Sequence, residues 1–137
     1  MNLKEMLKAH EGLRLKPYKC PANKLSIGFG RNIEDVGISL IEAEFLLDND
    51  IALARERCEK TFSWFLTMGE ARQDVVIMMV FNMGMAKFCT FYKAIAALQK
   101  GDWLGASNEM SNSLWARQVG DRAVVLCKMM SSGRYPE

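Results

Sequence analysis

An α+β chain in two lobes is what the sequence predicts: a small antiparallel sheet in the N-terminal lobe, a long connecting helix, and an all-helical C-terminal lobe. Three observations carry that prediction. Short alternating runs flank Pro21-Ala-Asn-Lys24, a stretch with turn chemistry. Ser39-Leu-Ile-Glu42 has the form of a capping box and opens an apolar stripe that continues to Cys58. Val75-Val-Ile-Met-Met-Val-Phe81 is hydrophobic nearly all round, as suits a helix buried at the centre of a lobe.

The elements follow in order. Leu3, Met6, Leu7 and His10 recur at helical spacing, so residues 3–11 form a short helix with one apolar face, ended by Gly12. Leu13 to Tyr18 alternates like a half-exposed strand, and Pro17 suits an edge position. Leu25-Ser26-Ile27 is a second strand, and Gly28-Phe29-Gly30 lets the chain bend or approach a ligand closely, giving a sheet of two or three strands over about residues 13–34. The connecting helix runs from Leu40 to about Lys60, roughly 30 Å at 1.5 Å per residue. Its stripe is Ala43, Leu47, Ile51, Ala54 and Cys58, and its charges, Glu42 among them, form a solvated face. Thr67-Met-Gly-Glu70 is a second capping box before the buried helix, which ends at Asn82-Met-Gly84. Further helices span Phe91–Lys100, start at Trp103 with Asp102 as cap, and run from Arg122 to Ser132 before Gly133. A single domain over 1–137 is expected, with a sheet-bearing lobe at about 12–60, a helical lobe at about 61–137, and helix 3–11 packed between them.

Composition narrows the functional classes. With 137 residues, half of them apolar and a quarter charged, the chain has the make-up of a soluble globular domain. A net charge of +2 with scattered basic residues gives no basis for a nucleic-acid partner. Cys20, Cys58, Cys89 and Cys127 form no CxxC pair and only one histidine is present, so neither a metal site nor any other cofactor is expected. The last three cysteines fit buried small hydrophobes in a reducing compartment. The N-terminus lacks a signal-peptide core and the longest apolar run is far short of a membrane span, so cytoplasmic synthesis without membrane insertion is expected; the chain is also expected to be a monomer.

The segment with the most chemistry lies between Glu11 and Asn32. Glu11 falls in the last turn of the first helix, on the edge of its apolar face. The helix C-terminus and partial burial both disfavour a carboxylate there, and so favour the protonated form that a general acid needs. Eight residues later comes Cys20, and five after that Ser26. A thiol with an ordinary pKa of about 8.5 is mostly neutral at pH 7, so Cys20 is a poor base unless something lowers that value. Lys19 is adjacent, but strand neighbours point to opposite faces. Three roles stay open for Cys20: thiolate nucleophile, base, or bystander to a water held by Ser26.

The order Glu, eight residues, Asp or Cys, five residues, Thr resembles the catalytic segment of phage lysozymes of the T-even-phage type, with Ser26 keeping the hydroxyl of the threonine. The flanks Glu11-Gly-Leu-Arg-Leu-Lys16 and Ile27-Gly-Phe-Gly30 are similar too, as are Gly37-Ile-Ser39 with Glu42-Ala43, Val80-Phe-Asn-Met-Gly84, Ser113-Leu-Trp115 and Asp121-Arg122-Ala123. Residues 31–37 are shorter than in the longest members, and Arg31 stands where some carry histidine, which puts in doubt a role for that position in tying the lobes together. The resemblance implies a lysozyme-like fold and hydrolysis of the β-1,4 bond between N-acetylmuramic acid and N-acetylglucosamine in bacterial peptidoglycan. By that route Glu11, Cys20 and Ser26 are catalytic, Gly30, Phe81 and Asn82 bind substrate, Trp115 lends support, and Arg122 reaches back to Glu11. The resemblance also implies a phage or prophage lysin that waits in the host cytoplasm until a holin lets it reach the periplasm and cell wall. Two other readings use the same residues: a Cys20–His10 hydrolase cutting peptide bonds, and a wall-binding protein that keeps the fold without catalysis.

Overall fold

A computed structural model describes residues 1–137, which divide into two compact units, Met1–Leu46 and Leu47–Glu137. The first holds helix α1 (Leu3–Glu11), strands β1 (Arg14–Lys19), β2 (Leu25–Gly28) and β3 (Arg31–Asn32), and the short helix α2 (Ile33–Val36). Helix α3 (Leu40–Thr61) begins in the first unit and continues into the second. The remainder is helical: α4 (Glu70–Met83), α5 (Met85–Phe88), α6 (Tyr92–Lys100), α7 (Trp103–Ser111), α8 (Leu114–Val119) and α9 (Asp121–Ser132). This is the α+β class that the sequence predicts, with its small sheet, long connecting helix and all-helical C-terminal part.

In the first unit, α1 starts at a capping box that the sequence reading passed over: the Glu5 amide donates to Asn2 Oδ1 at 2.9 Å, and the Asn2 amide to Glu5 Oε2 at 3.1 Å. Its apolar face exists, but none of its residues is buried. The sheet order is β1-β2-β3, antiparallel throughout, with Tyr18 opposite Ser26 and Ser26 opposite Asn32. The β1–β2 register slips between Arg14 and Tyr18, where Pro17 offers no amide to the ladder. The chain then leaves the sheet earlier than expected. Asn32 Oδ1 accepts from the Asp35 amide at 3.1 Å and caps α2, so Ile33 and Glu34 are helical rather than extended. The Ser39–Glu42 capping box is present, with the Ser39 amide on Glu42 Oε1 at 2.8 Å and the Glu42 amide on Ser39 Oγ at 3.2 Å.

Two expectations for α3 need correction. Only Ala54 and Cys58 of its stripe are buried; Leu47 and Ile51 are exposed and Ala43 is half-buried. Nor is Glu42 merely solvated, because the same Oε1 also receives Arg31 Nη1 at 2.5 Å. Arg31 further donates to the Gly37 carbonyl at 3.3 Å, tying β3 to the start of α3. The Arg31 guanidinium, helped by the Ser39 amide, holds the Glu42 carboxyl down at about 2.

The second unit packs around α4, which buries Ala71, Val75, Val76, Ile77, Met79 and Val80. Each of the larger side chains contributes about 1.5–3 kcal/mol by leaving water. Thr67 does not cap this helix. Its hydroxyl donates to the Trp64 carbonyl at 2.5 Å and closes a 3-10 turn at Phe65–Thr67, whose neighbours Phe62, Trp64 and Met68 are drawn into the core. Gly69 stands at the helix start instead. Ser113 caps α8, accepting from the Ala116 amide at 3.1 Å, in a helix the sequence reading did not separate from α7. All four cysteines are free thiols. Cys58 is buried and its thiol is pushed up to about 11 by that burial, whereas Cys89 and Cys127 are only half-buried against the core.

Arg72 joins three helices. Its Nε and Nη2 donate to the carbonyls of Met130 and Ser131 at 2.7 and 3.0 Å, satisfying the end of α9, while the guanidinium lies 4.5 Å from the Trp103 ring. Arg72→Ala should cost about 2 kcal/mol in urea unfolding, and Arg72→Lys, which loses the fork, should recover less than half. The low Glu42 pKa has a definite sign. Its stabilising effect is fully present above the ordinary carboxylate value of 4.5 and is lost as pH falls toward about 2. The stability gap between wild type and Glu42→Gln should therefore be constant at neutral pH and close on titration through that window.

Candidate active site

Glu11 is the last residue of α1, and Gly12 ends the helix with its amide on the Lys8 carbonyl at 3.0 Å. The glutamate is exposed, not half-buried as the sequence suggested. Its carboxylate lies against the tight β2–β3 connection. Gly30 has φ +78°, and a Cβ there would lie 2.7 Å from Glu11 Oε2 and 3.2 Å from its carboxyl carbon. Lys8 Nζ sits 5.3 Å from the Phe29 ring and adds a second contact between α1 and the same turn. Gly30 thus lets the backbone approach the carboxylate, which is a more specific task than the close ligand approach read from the sequence.

Cys20 and Ser26 meet at the other end of β2. The Cys20 amide donates to the Lys24 carbonyl at 3.0 Å and the Asn23 amide to the Cys20 carbonyl at 2.8 Å, which closes the β1–β2 turn, with Asn23 at φ +63°. Tyr18 faces Ser26 across the ladder, so Cys20, two residues on, shares the face of Ser26. Ser26 is only 2% exposed and its Oγ donates to the Lys24 carbonyl at 3.2 Å. Cys20 is half-buried. The Lys24 amide draws the Cys20 thiol below its ordinary value; partial desolvation opposes this, and the Ala22 amide and Ser26 hydroxyl act with Lys24. That is the lowering influence the sequence left unidentified. It comes from turn amides, while Lys19 turns away to Glu34 at 3.5 Å. Between this thiol and the Glu11–Gly30 contact lies β2, whose four residues span roughly 13 Å at about 3.3 Å each.

The second unit places the remaining residues. Asn82 Oδ1 accepts from Trp115 Nε1 at 3.2 Å, and Trp115 is buried at 2% exposure with the Phe91 ring edge-on to it. Trp115 therefore holds Asn82 and does not itself offer a surface. Phe81 is half exposed and lines a groove of about 280 Å³ with Asp50, Leu53, Arg57 and Met85. The sequence reading missed Asp50 and Arg57 there. Their i, i+7 spacing on α3 was a signal, because it places them on the same helix face. Arg122 is exposed in the first turn of α9.

Comparison with known proteins identifies the family. The phage lysozyme family matches residues 8–129, and the chain belongs to it. An endolysin of Acyrthosiphon pisum secondary endosymbiont phage 1 is 36% identical over 121 residues, covering 85% of this chain and 80% of that one. A probable T4-type lysozyme of Dictyostelium discoideum is 27% identical over 161 aligned positions, with 96% of this chain and 95% of that protein covered. The pre-baseplate central spike protein of Enterobacteria phage T4 is 27% identical, matching 97% of this chain over only 28% of its own length. The chain is a glycoside hydrolase: a muramidase that cleaves the β-1,4 bonds between N-acetylmuramic acid and N-acetylglucosamine in peptidoglycan.

Gly30→Ala tests the seat of the carboxylate. The added methyl strains a positive φ and displaces Glu11, so kcat should fall at least tenfold with far-ultraviolet circular dichroism unchanged. Full activity in that variant would show that Glu11 does not need this position.

Proposed function

We propose that Glu11 is the general acid of this muramidase and that Cys20, as a thiolate, acts with Ser26 on the water that completes hydrolysis. Glu11 donates its proton to the bridging oxygen as the glycosidic bond breaks, freeing the 4-hydroxyl of N-acetylglucosamine. Water adds to C1 of the muramyl sugar and gives up a proton to the Cys20 thiolate, leaving a new reducing end. Ser26 Oγ is available to hold that water, since a hydroxyl that donates once still accepts. The observation that carries this reading is the closed turn at Cys20–Lys24, whose amides draw the Cys20 thiol below its ordinary pKa.

The second unit supplies the sugar-binding side in this reading. Phe81 offers a half-exposed ring for a pyranose face, and Asn82 is held by Trp115 with its amide group presented at the surface. By its likeness to the aphid-endosymbiont phage endolysin, we assign the chain to bacterial lysis: a monomer that accumulates in the host cytoplasm and reaches the wall once a holin-type partner has permeabilised the membrane. No helix of the chain is long and apolar enough to cross a membrane.

The base role of Cys20 has a clear pH signature. Activity requires the thiolate, so the acid limb of the rate profile follows the Cys20 pKa. Cys20→Asp should retain activity with that limb moved down by several pH units, because an aspartate ionises near 4. Cys20→Ala should lose roughly a hundredfold in kcat. An acid limb unmoved by Cys20→Asp would remove the thiol from the base role.

A further inference from the structure

We propose that Glu34 is a positioning residue for Cys20, completing the sheet at Leu25 so that the β1–β2 turn keeps its backbone aimed at the thiol. The inference rests on the assignment of Cys20 to the reaction, and it concerns a residue outside the catalytic segment.

The geometry begins with an interruption in the ladder. β2 pairs with β3 at Ser26–Asn32 and Ile27–Arg31. The next pair would join Leu25 to Ile33, but Asn32 caps α2 and Ile33 is already helical. The Leu25 amide would be left without a strand carbonyl. Glu34 Oε1 takes that place, accepting from the Leu25 amide at 3.2 Å. A carboxylate is a stronger acceptor than the carbonyl it replaces. Leu25 lies between Lys24, whose amide and carbonyl serve Cys20, and Ser26, whose hydroxyl shares the face of the thiol. It also stands directly opposite Lys19, the residue before Cys20. One hydrogen bond therefore anchors the strand at the point where both partners of the thiol originate.

The charged groups around this turn are Lys19 on β1, Lys24 in the turn, and Glu34 and Asp35 on α2. Glu34 bridges the lysines at 3.5 and 3.6 Å, and Lys24 also reaches Asp35 at 3.3 Å. All are well exposed, and exposed ion pairs hold geometry weakly. The Leu25 amide bond is the one that sets position.

This division gives a test with opposed signs. Removing a negative charge near Cys20 stabilises its thiolate, whereas loosening the turn amides destabilises it. Iodoacetamide labelling of the folded protein across pH, read by mass spectrometry on the peptide that carries Cys20, reports the thiolate fraction without turnover. In Glu34→Ala the acceptor is gone, so labelling at pH 7 should fall about threefold and its midpoint should move to higher pH. Glu34→Gln keeps an acceptor oxygen and should label at least as fast as wild type. Equal or faster labelling in Glu34→Ala overturns the inference, as does an equal fall in both variants, which would show that an acceptor oxygen at the Leu25 amide does not hold the turn. If the enzyme keeps full turnover in Cys20→Ala, the labelling difference still stands, and the failure then lies with the catalytic assignment alone.

Discussion

The closure of the β1–β2 hairpin between Cys20 and Lys24 is the constraint on which the first unit of the molecule depends. It is made by two backbone hydrogen bonds, at 3.0 and 2.8 Å, across the turn Pro21-Ala-Asn-Lys24. Within this turn the Lys24 amide draws the Cys20 thiol below its ordinary pKa, and Ser26 emerges from the following strand on the same face. The other end of that strand turns at Gly28-Phe29-Gly30 and seats Glu11. A strand of four residues thus has Glu11 against the turn at one end and Cys20 beside Ser26 at the other. Exposure of the acid and partial burial of the thiol divide the electrostatics: solvent reaches Glu11, while oriented backbone dipoles act on Cys20 at close range.

The helical unit solves a different problem. Its hydrophobic centre, α4, carries Phe81 and Asn82 in its last turn, immediately after the buried Val80. Packing fixes the helix, and the helix fixes those side chains at its end. The Trp115 indole N–H finds its partner in Asn82, so a buried polar group is satisfied by the residue that it positions. Arg72 plays a comparable part for α9 by closing its last carbonyls, and α9 is the helix that presents Arg122 at its other end.

Much of this was legible in the sequence because the signals were local. The alternation around Pro21–Lys24, the Ser39–Glu42 box, the all-round apolar run of α4 and the glycines after α4, α6 and α9 each depend on neighbours within a few residues. The spacing of Glu11, Cys20 and Ser26 carried the resemblance to the family to which the chain belongs. What was not legible came from competition between neighbours for the same hydroxyl or amide. Thr67 had two possible hydrogen-bond partners, and burial of Phe65 and Met68 gave its hydroxyl to Trp64 instead of to a helix start. Asn32 could extend the sheet or cap a helix, and Asp35, three residues on, decided it. The source of the thiol's acidity was also hidden, since side chains announce themselves in a sequence and backbone amides do not. Glu34 read as an ordinary surface acid until the ladder was seen to stop one residue short of Leu25.

The central claim is that the chain breaks a glycosidic bond with Glu11 as the acid. Its most direct test is release of reducing ends from purified peptidoglycan by wild type and by Glu11→Gln, with circular dichroism recorded on both. The account predicts new muramyl reducing ends from the wild type and a loss of at least a hundredfold in the folded variant. Free amines in place of reducing ends, or full activity in Glu11→Gln, would contradict it.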